Sequence, residues 1–247
     1  MKNLFNVKNF VTIITGSGRG IGLVLAESFY KSGAKVIRID TLLKKHNKYN
    51  FDDFKFDVRK SNLIDHVLKK IKKKYGRINV LINNAGITYD QFNHDTYNKK
   101  ILEKVLSVNL FAAYDLTKKV CGIMAQKKKG SIINITSLAS EIGFEGNPSY
   151  QVSKAALKQF TKAIANDWGK YKIRANNICP GYIKSPMTLK NYKISKKRNQ
   201  KLSRMILKRF GDPQDLVGPC IFLASDSSSY ITGTDLRVDG GWLAKGL

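Results

Sequence analysis

Short apolar runs rich in branched residues recur along the chain, separated by longer stretches whose apolar positions follow a helical period. The runs "VTIIT" (11–15), "KVIRI" (35–39), "VLIN" (80–83), "SIINIT" (131–136), "RANNIC" (174–179) and "DLRV" (235–238) predict six strands, and "FKFDV" (54–58) predicts a seventh. Between the first two, "GLVLAESFYKSG" places apolar side chains at 21, 24, 25 and 29, the spacing of one helix face, with Gly33 available to end the helix. Strands that are apolar throughout, rather than alternately, are buried on both faces, and their alternation with helices predicts a parallel sheet covered on both sides. The expected architecture is α/β and doubly wound, with ligands beyond the carboxyl ends of the strands.

No linker, repeat or low-complexity segment divides the 247 residues, so one domain is expected. The longest apolar stretches fall well short of the ~18 residues of a bilayer span, and no membrane association is expected. The N-terminal apolar run leads straight into a glycine motif and reads as a strand rather than a signal peptide. Cys121, Cys179 and Cys220 are odd in number, dispersed and without His neighbours. That pattern suggests neither a disulfide framework nor a metal site, and fits a reducing cytoplasm. The net charge of +26 does change the picture, because a dense cationic surface can serve nucleic acid or membrane phosphates. Lysines recur on almost every segment with polar character, as in "KKIKKK" at 69–74. Solvated helix faces in a chain from an A+T-biased genome account for that, and this is the reading adopted for the charge as a whole.

Candidate chemistry begins at "TGSGRGIG", where Gly16, Gly20 and Gly22 join the first strand to the first helix. Glycines let backbone approach a pyrophosphate, and a helix N-terminus offers free N–H groups and a positive dipole end. Asp40 closes the second strand, where a carboxylate can accept both ribose hydroxyls and repel a 2′-phosphate. This favours NAD; Arg19, beside the loop, could pair with a 2′-phosphate and keeps NADP open. Further on, Tyr150 and Lys154 stand four apart, on one face of a helix, and so do Tyr114/Lys118 and Tyr192/Lys196.

With these motifs in order, the sequence resembles the short-chain dehydrogenase/reductase family nearly end to end. The family's Thr-Gly-x-x-x-Gly-x-Gly stands at 15–22, its Asn-Asn-Ala-Gly at Asn83, Asn84, Ala85 and Gly86, and its Asp-Val pair at Asp57 and Val58. The resemblance implies a Rossmann-like seven-stranded domain, residues 1–110 mainly binding dinucleotide and 111–247 carrying catalysis and substrate. It implies a catalytic tetrad of Asn109, Ser137, Tyr150 and Lys154. The family's serine lies 13 residues before its tyrosine; that subtraction gives Ser137 for Tyr150, but Ile101 for Tyr114 and Cys179 for Tyr192. Only the first pair keeps its serine, and the other two read as surface pairs. By resemblance the cofactor contacts are Gly16, Ser17, Arg19, Gly20, Ile21, Asp40, Asp57, Val58, Asn84, Ala85, Gly86, Tyr150, Lys154, Pro180, Gly181, Ile183 and Ser185, the last standing where Thr is usual. Tyr150 would exchange the hydroxyl proton of a secondary alcohol, its pKa lowered by the Lys154 ammonium and the oxidised nicotinamide. Ser137 would hydrogen-bond the reacting oxygen, and Asn109 would hold a water serving Lys154.

Residues 182–211, where the family carries a substrate lid, hold ten Lys and Arg and no Asp or Glu. Either an anionic substrate or a solvated outer face would account for that. Glu141 and Asn147 are candidate substrate hydroxyl binders alongside Ser137 and Tyr150. The C-terminal portion resembles the branch of gluconate 5-dehydrogenase and 2-deoxygluconate 3-dehydrogenase types, and also 3-oxoacyl-carrier-protein reductases, whose substrate rides on an acidic protein. A sugar acid or related carbohydrate is favoured. A non-catalytic, RNA-associated protein is the contrasting reading; the filled tetrad and the lack of interleaved aromatic and basic residues count against it, and no nucleic-acid partner is expected. The resemblance further implies a homotetramer or dimer, with Trp242 and Leu243 either at an interface or in the subunit's own core.

Overall fold

A computed structural model of the chain describes residues 4–89, 97–189, 192 and 194–245, the side chain of Lys197 excepted. Seven parallel strands form one sheet in the order β3-β2-β1-β4-β5-β6-β7. They are β1 (Val11–Thr15), β2 (Lys35–Asp40), β3 (Asp52–Lys55), β4 (Val80–Asn83), β5 (Gly130–Ile135), β6 (Ile173–Pro180) and β7 (Asp235–Val238). The helices are α1 (Gly20–Lys31), α2 (Ser61–Tyr75), α3 (Lys99–Leu106), α4 (Ala112–Ala125), α5 (Pro148–Trp168), α6 (Ser195–Ser203) and α7 (Val217–Ala224). Chain order reverses between β1 and β4, which opens a crevice at the carboxyl ends of those strands.

Every residue of β1, β4 and β5 is buried, as expected of strands covered on both faces. One apolar cluster joins Ile13, Ile37, Leu81 and Ile132 to α2 and α4, and a second joins Ile14, Ile82, Ile133 and Ile178 to α1 and α7. Between β4 and β7 the core also carries a polar ladder. Asn83 donates to Thr117 and Asn134, Asn134 to Thr161, Thr161 to Asn177, and Asn177 to Asp235, at 2.6–2.9 Å. Apart from the Asn83 Oδ1, which has no partner, these bonds offset most of the penalty of burying the amides. In α2, Ile64, Val67, Leu68 and Ile71 face the core while Lys69, Lys70, Lys72, Lys73 and Lys74 are exposed, the solvated face expected of "KKIKKK".

One expectation is corrected, and one pair of alternatives is decided. β3 is Asp52–Lys55 rather than 54–58, because its pairing with β2 ends where β2 ends, at Asp40↔Lys55. Phe56 to Val58 therefore belong to the loop at the crevice. Trp242 is buried within its own subunit, against Tyr182 at 4.8 Å and in a cluster with Leu138, Met205 and Phe210. No helix among the described residues is long and apolar enough to cross a membrane.

Candidate active site

The crevice is a cleft of about 390 Å³. Gly16 enters it with φ +65°, and a Cβ there would lie 2.7 Å from the Ala85 Cα. A Cβ on Gly22 would lie 2.1 Å from the Gly16 carbonyl oxygen, so the first turn of α1 can pack onto the loop only as glycine. Asn84 ties the loop to β4: its amide donates to the carbonyls of Thr15 and Gly16, while the Thr15 hydroxyl accepts from the backbone N–H of Asn84 and Ala85. No side chain caps α1, so its amino end faces the cleft with free donors. Asp40 accepts from Gly18 N at 2.9 Å and Leu42 N at 2.7 Å, one bond to each oxygen, and keeps lone pairs for further donors. A glycine cradle, an uncapped helix and a carboxylate at the end of β2 fit a nicotinamide dinucleotide.

Gly20, Ile21, Arg19, Asp57, Val58, Ala85, Gly86, Pro180, Gly181, Ile183 and Ser185 line the same cleft, together with Ser137, Tyr150 and Lys154. Asp57 is gripped by Arg59 at 2.6 Å, which holds its carboxyl below the usual range. Ser17 does not line the cleft; it is fully buried and its hydroxyl has no partner.

Tyr150 and Lys154 lie on the first turns of α5, and Ser137 follows β5 as the cap of a short 3-10 turn. The Lys154 ammonium is buried and donates to the Ile135 carbonyl at 2.7 Å. Burial lowers its pKa to about 8. Tyr150 departs from the sequence expectation. Burial raises its pKa, a hydrogen bond with Ser137 pulls the other way, and Lys154, 5.7 Å from the ring centroid, is not among the causes. The protein alone therefore holds Tyr150 protonated; the desolvation of a phenolate outweighs its donors.

Asn109 lies behind the wall of the cleft. A π-helical turn (Ser107–Phe111) buries it, and its amide clamps Ile87: Oδ1 accepts from Ile87 N at 2.8 Å, and Nδ2 donates to Ile87 O and Ser153 Oγ at 3.0 Å. It neighbours Lys154 across Gly86, whose Cβ would sit 3.4 Å from the Asn109 Oδ1 and 3.6 Å from the Lys154 Nζ. Glu141 is not brought to the cleft. It pairs with Lys158 at 2.6 Å and Arg237 at 3.7 Å, and Lys158 also meets Asp235 at 3.3 Å. Asn147 does not line the cleft either; it donates to Thr88 and leaves its buried Oδ1 unpaired.

Tyr114 is exposed and stacked on Phe160, and Tyr192 packs against Phe210, so neither of the other tyrosine pairs joins the site. None of the described lid cations lines the cleft. Lys184 pairs with Asp212, Arg209 with Asp215, and Lys201 and Arg198 stack over Tyr182 and Tyr192. Lys190, Lys193 and the Lys197 side chain lie outside the described residues. Sequence reasoning missed Thr188, whose hydroxyl donates to Ile183 O and accepts from Ser185 N, holding the turn that presents Ser185. The Ser-x-x-Thr spacing, a local side-chain-to-backbone motif, was the available signal. It also missed Lys104 and Tyr89 on the outer wall, which adjacent elements bring in without any local pattern.

A family model described as enoyl-(acyl carrier protein) reductase matches residues 16–243. The 3-oxoacyl-[acyl-carrier-protein] reductase FabG of Thermotoga maritima is 37% identical, over 94% of this chain and 96% of its own length. The 5-keto-D-gluconate 5-reductase of Escherichia coli K12 is 33% identical, over 98% and 99%. Among solved structures, a gluconate 5-dehydrogenase from Burkholderia cenocepacia J2315 in complex with NADP and tartrate superposes with a TM-score of 0.90 at 28% identity, covering 99% of each chain.

Proposed function

The chain belongs to the short-chain dehydrogenase/reductase family, and from that premise we propose that it interconverts a secondary alcohol of a sugar acid with the corresponding ketone. Its class, an oxidoreductase acting on CH–OH with a nicotinamide cofactor, comes with the family. The observation that carries the reading is the meeting of Ser137, Tyr150 and Lys154 on the wall of the cleft that holds the glycine cradle. Gly16, Gly20 and Asp40 would hold a nicotinamide dinucleotide there, and the chemistry it would supply is hydride transfer. In reduction Tyr150 donates its phenol proton to the carbonyl oxygen; in oxidation its phenolate, which the positive charge of an oxidised nicotinamide would favour against the burial that otherwise keeps the phenol protonated, accepts the hydroxyl proton. Ser137 orients the substrate oxygen by hydrogen bonding, and Lys154, fixed by Ile135, places positive charge behind the phenol. Asn109 acts as a positioning residue, holding the Ile87 backbone beside Lys154.

The sugar-acid substrate rests on the relatives that act on gluconates. The 3-oxoacyl thioester alternative rests on the carrier-protein reductase relative. Asp40 supports NAD, since a 2′-phosphate would meet a carboxylate already fixed by two backbone donors. The solved NADP complex and Arg19 support the other dinucleotide. Buried reduced cysteines suit a cytoplasmic location. A homotetramer or dimer built on α4 and α5 is supported by Phe111, Tyr114 and Val152, all at least half exposed on the outer side of those helices and the turn before them.

Initial rates with sugar acids, matched neutral sugars and a 3-oxoacyl thioester, each with NAD(H) and NADP(H), test the reading. Activity on acids with NAD, reduced about 10²-fold or more in Tyr150→Phe, is the expected result. Activity confined to the thioester overturns the substrate, and wild-type rates in the variant overturn the role of Tyr150.

A further inference from the structure

The segments that enter five adjacent strands, residues 31–35 (β2), 7–10 (β1), 72–79 (β4), 126–129 (β5) and 169–172 (β6), hold twelve Lys and Arg and no Asp or Glu. They lie side by side along the amino end of the sheet, opposite the catalytic cleft. At about 4.8 Å between neighbouring strands, the row is about 19 Å long. It borders a groove of about 510 Å³ lined by Lys35, Tyr75, Arg77, Asn79, Lys127 and Lys129. Lys74 and Lys129 are neutralised by Asp52 and Asp226. Among the described residues, Lys8, Lys35, Lys73, Lys127, Lys128 and Lys172 form no ion pair and are exposed.

Two of these lysines sit in strained backbone, as Lys208 of the lid also does outside the row at φ 51°. Lys128 and Lys172 occupy left-handed backbone, at φ 46° and 57°, immediately before β5 and β6. A lysine there costs about 1 kcal/mol that glycine would avoid, and asparagine, which this chain uses freely and places at the equivalent Asn9 (φ 62°), would reduce. Like charges held close together without counter-charges add to that cost.

We propose that this row is a binding site for a linear phosphate polyanion, a single-stranded RNA or a polyphosphate chain, independent of the dehydrogenase cleft. The shape favours a chain, being one row of loops with a groove along it. A membrane surface fits less well, because none of the large exposed apolar side chains among the described residues falls in the five segments. The proposal differs from the sequence expectation of no nucleic-acid partner. Each segment contributes only one to four cations, so no local motif records a site that the strand order assembles.

The test is fluorescence anisotropy of a labelled 20-nucleotide oligouridylate between 50 and 300 mM KCl. Wild type is compared with a rim variant (Lys35→Gln, Lys127→Gln, Lys128→Gln, Lys172→Gln) and an equally discharged control (Lys44→Gln, Lys45→Gln, Lys99→Gln, Lys100→Gln), all checked by thermal melting. Expected is salt-dependent binding that the control retains, while the rim variant loses at least 10-fold in affinity and about 3 units of log–log salt slope, ~0.7 per lost phosphate contact. Competition by polyphosphate at equal charge would identify the phosphate chain as the feature bound, whereas competition by RNA alone would identify nucleic acid as the source. Equal losses in both variants, unchanged binding in the rim variant, or stronger competition from anionic lipid vesicles than from RNA would each overturn the site.

Discussion

At Lys154, burial and charge work against each other. Its folded pKa of about 8 lies below the 10.5 of a free lysine, so the unfolded chain holds the proton more tightly. Stability therefore rises with pH between about 8 and 10.5, and below 8 the full cost of burying the ammonium is present. Lys154→Met should abolish activity yet raise stability near pH 7. About 3 kcal/mol of charge burial is relieved and about 1 kcal/mol is lost at the Ile135 carbonyl, leaving a net gain of about 2 kcal/mol. Thermal melts from pH 7 to 10.5 check this; the gain should shrink as pH rises, and a variant less stable than wild type at pH 7 would refute it. Tyr150 carries the complementary conflict, its phenol held protonated by burial against the pull of Ser137. The residue types of this pair were legible four apart in sequence, but the direction of each shift was not, because burial is set by what packs around them.

Among the elements, the π-helical turn between α3 and α4 has the most direct bearing on the site. One extra residue in the turn rotates Asn109 inward, where its amide satisfies both backbone groups of Ile87. Asn109→Ala should destabilise the fold by about 1 kcal/mol, since it leaves a half-buried N–H and C=O without their side-chain partner, and urea unfolding reads that directly. The same variant should lower kcat more than it raises KM, because the Ile87 wall shifts beside Lys154 rather than at a substrate contact. An unchanged kcat would remove Asn109 from the working site. The glycine loop was legible in sequence because steric exclusion acts locally: no other residue fits at Gly22. The fate of Glu141 was not, because Lys158 and Arg237, which engage it, come from α5 and β7.

In the whole molecule, charge and apolar surface are distributed unevenly. Exposed Phe111, Tyr114 and Val152 belong to α4, α5 and the turn before α4, while the sheet's amino end is cationic. If the proposed oligomer is built on this face, Val152→Glu should give a smaller species than wild type in light scattering coupled to gel filtration, with the fold intact by circular dichroism; an unchanged mass would exclude this face as the interface. The sequence by itself determined the strand-helix alternation, the parallel sheet and the glycine cradle, because each depends on periodicity or on backbone sterics within short stretches, and its resemblance to the family marked out Ser137, Tyr150 and Lys154. Only the tertiary structure decided that Glu141 is taken up by an ion-pair network and that the described lid cations turn away from the cleft. It alone also brought five short lysine-bearing segments into one row. Those outcomes depend on which distant segments become neighbours, and strand order, rather than local pattern, determines that.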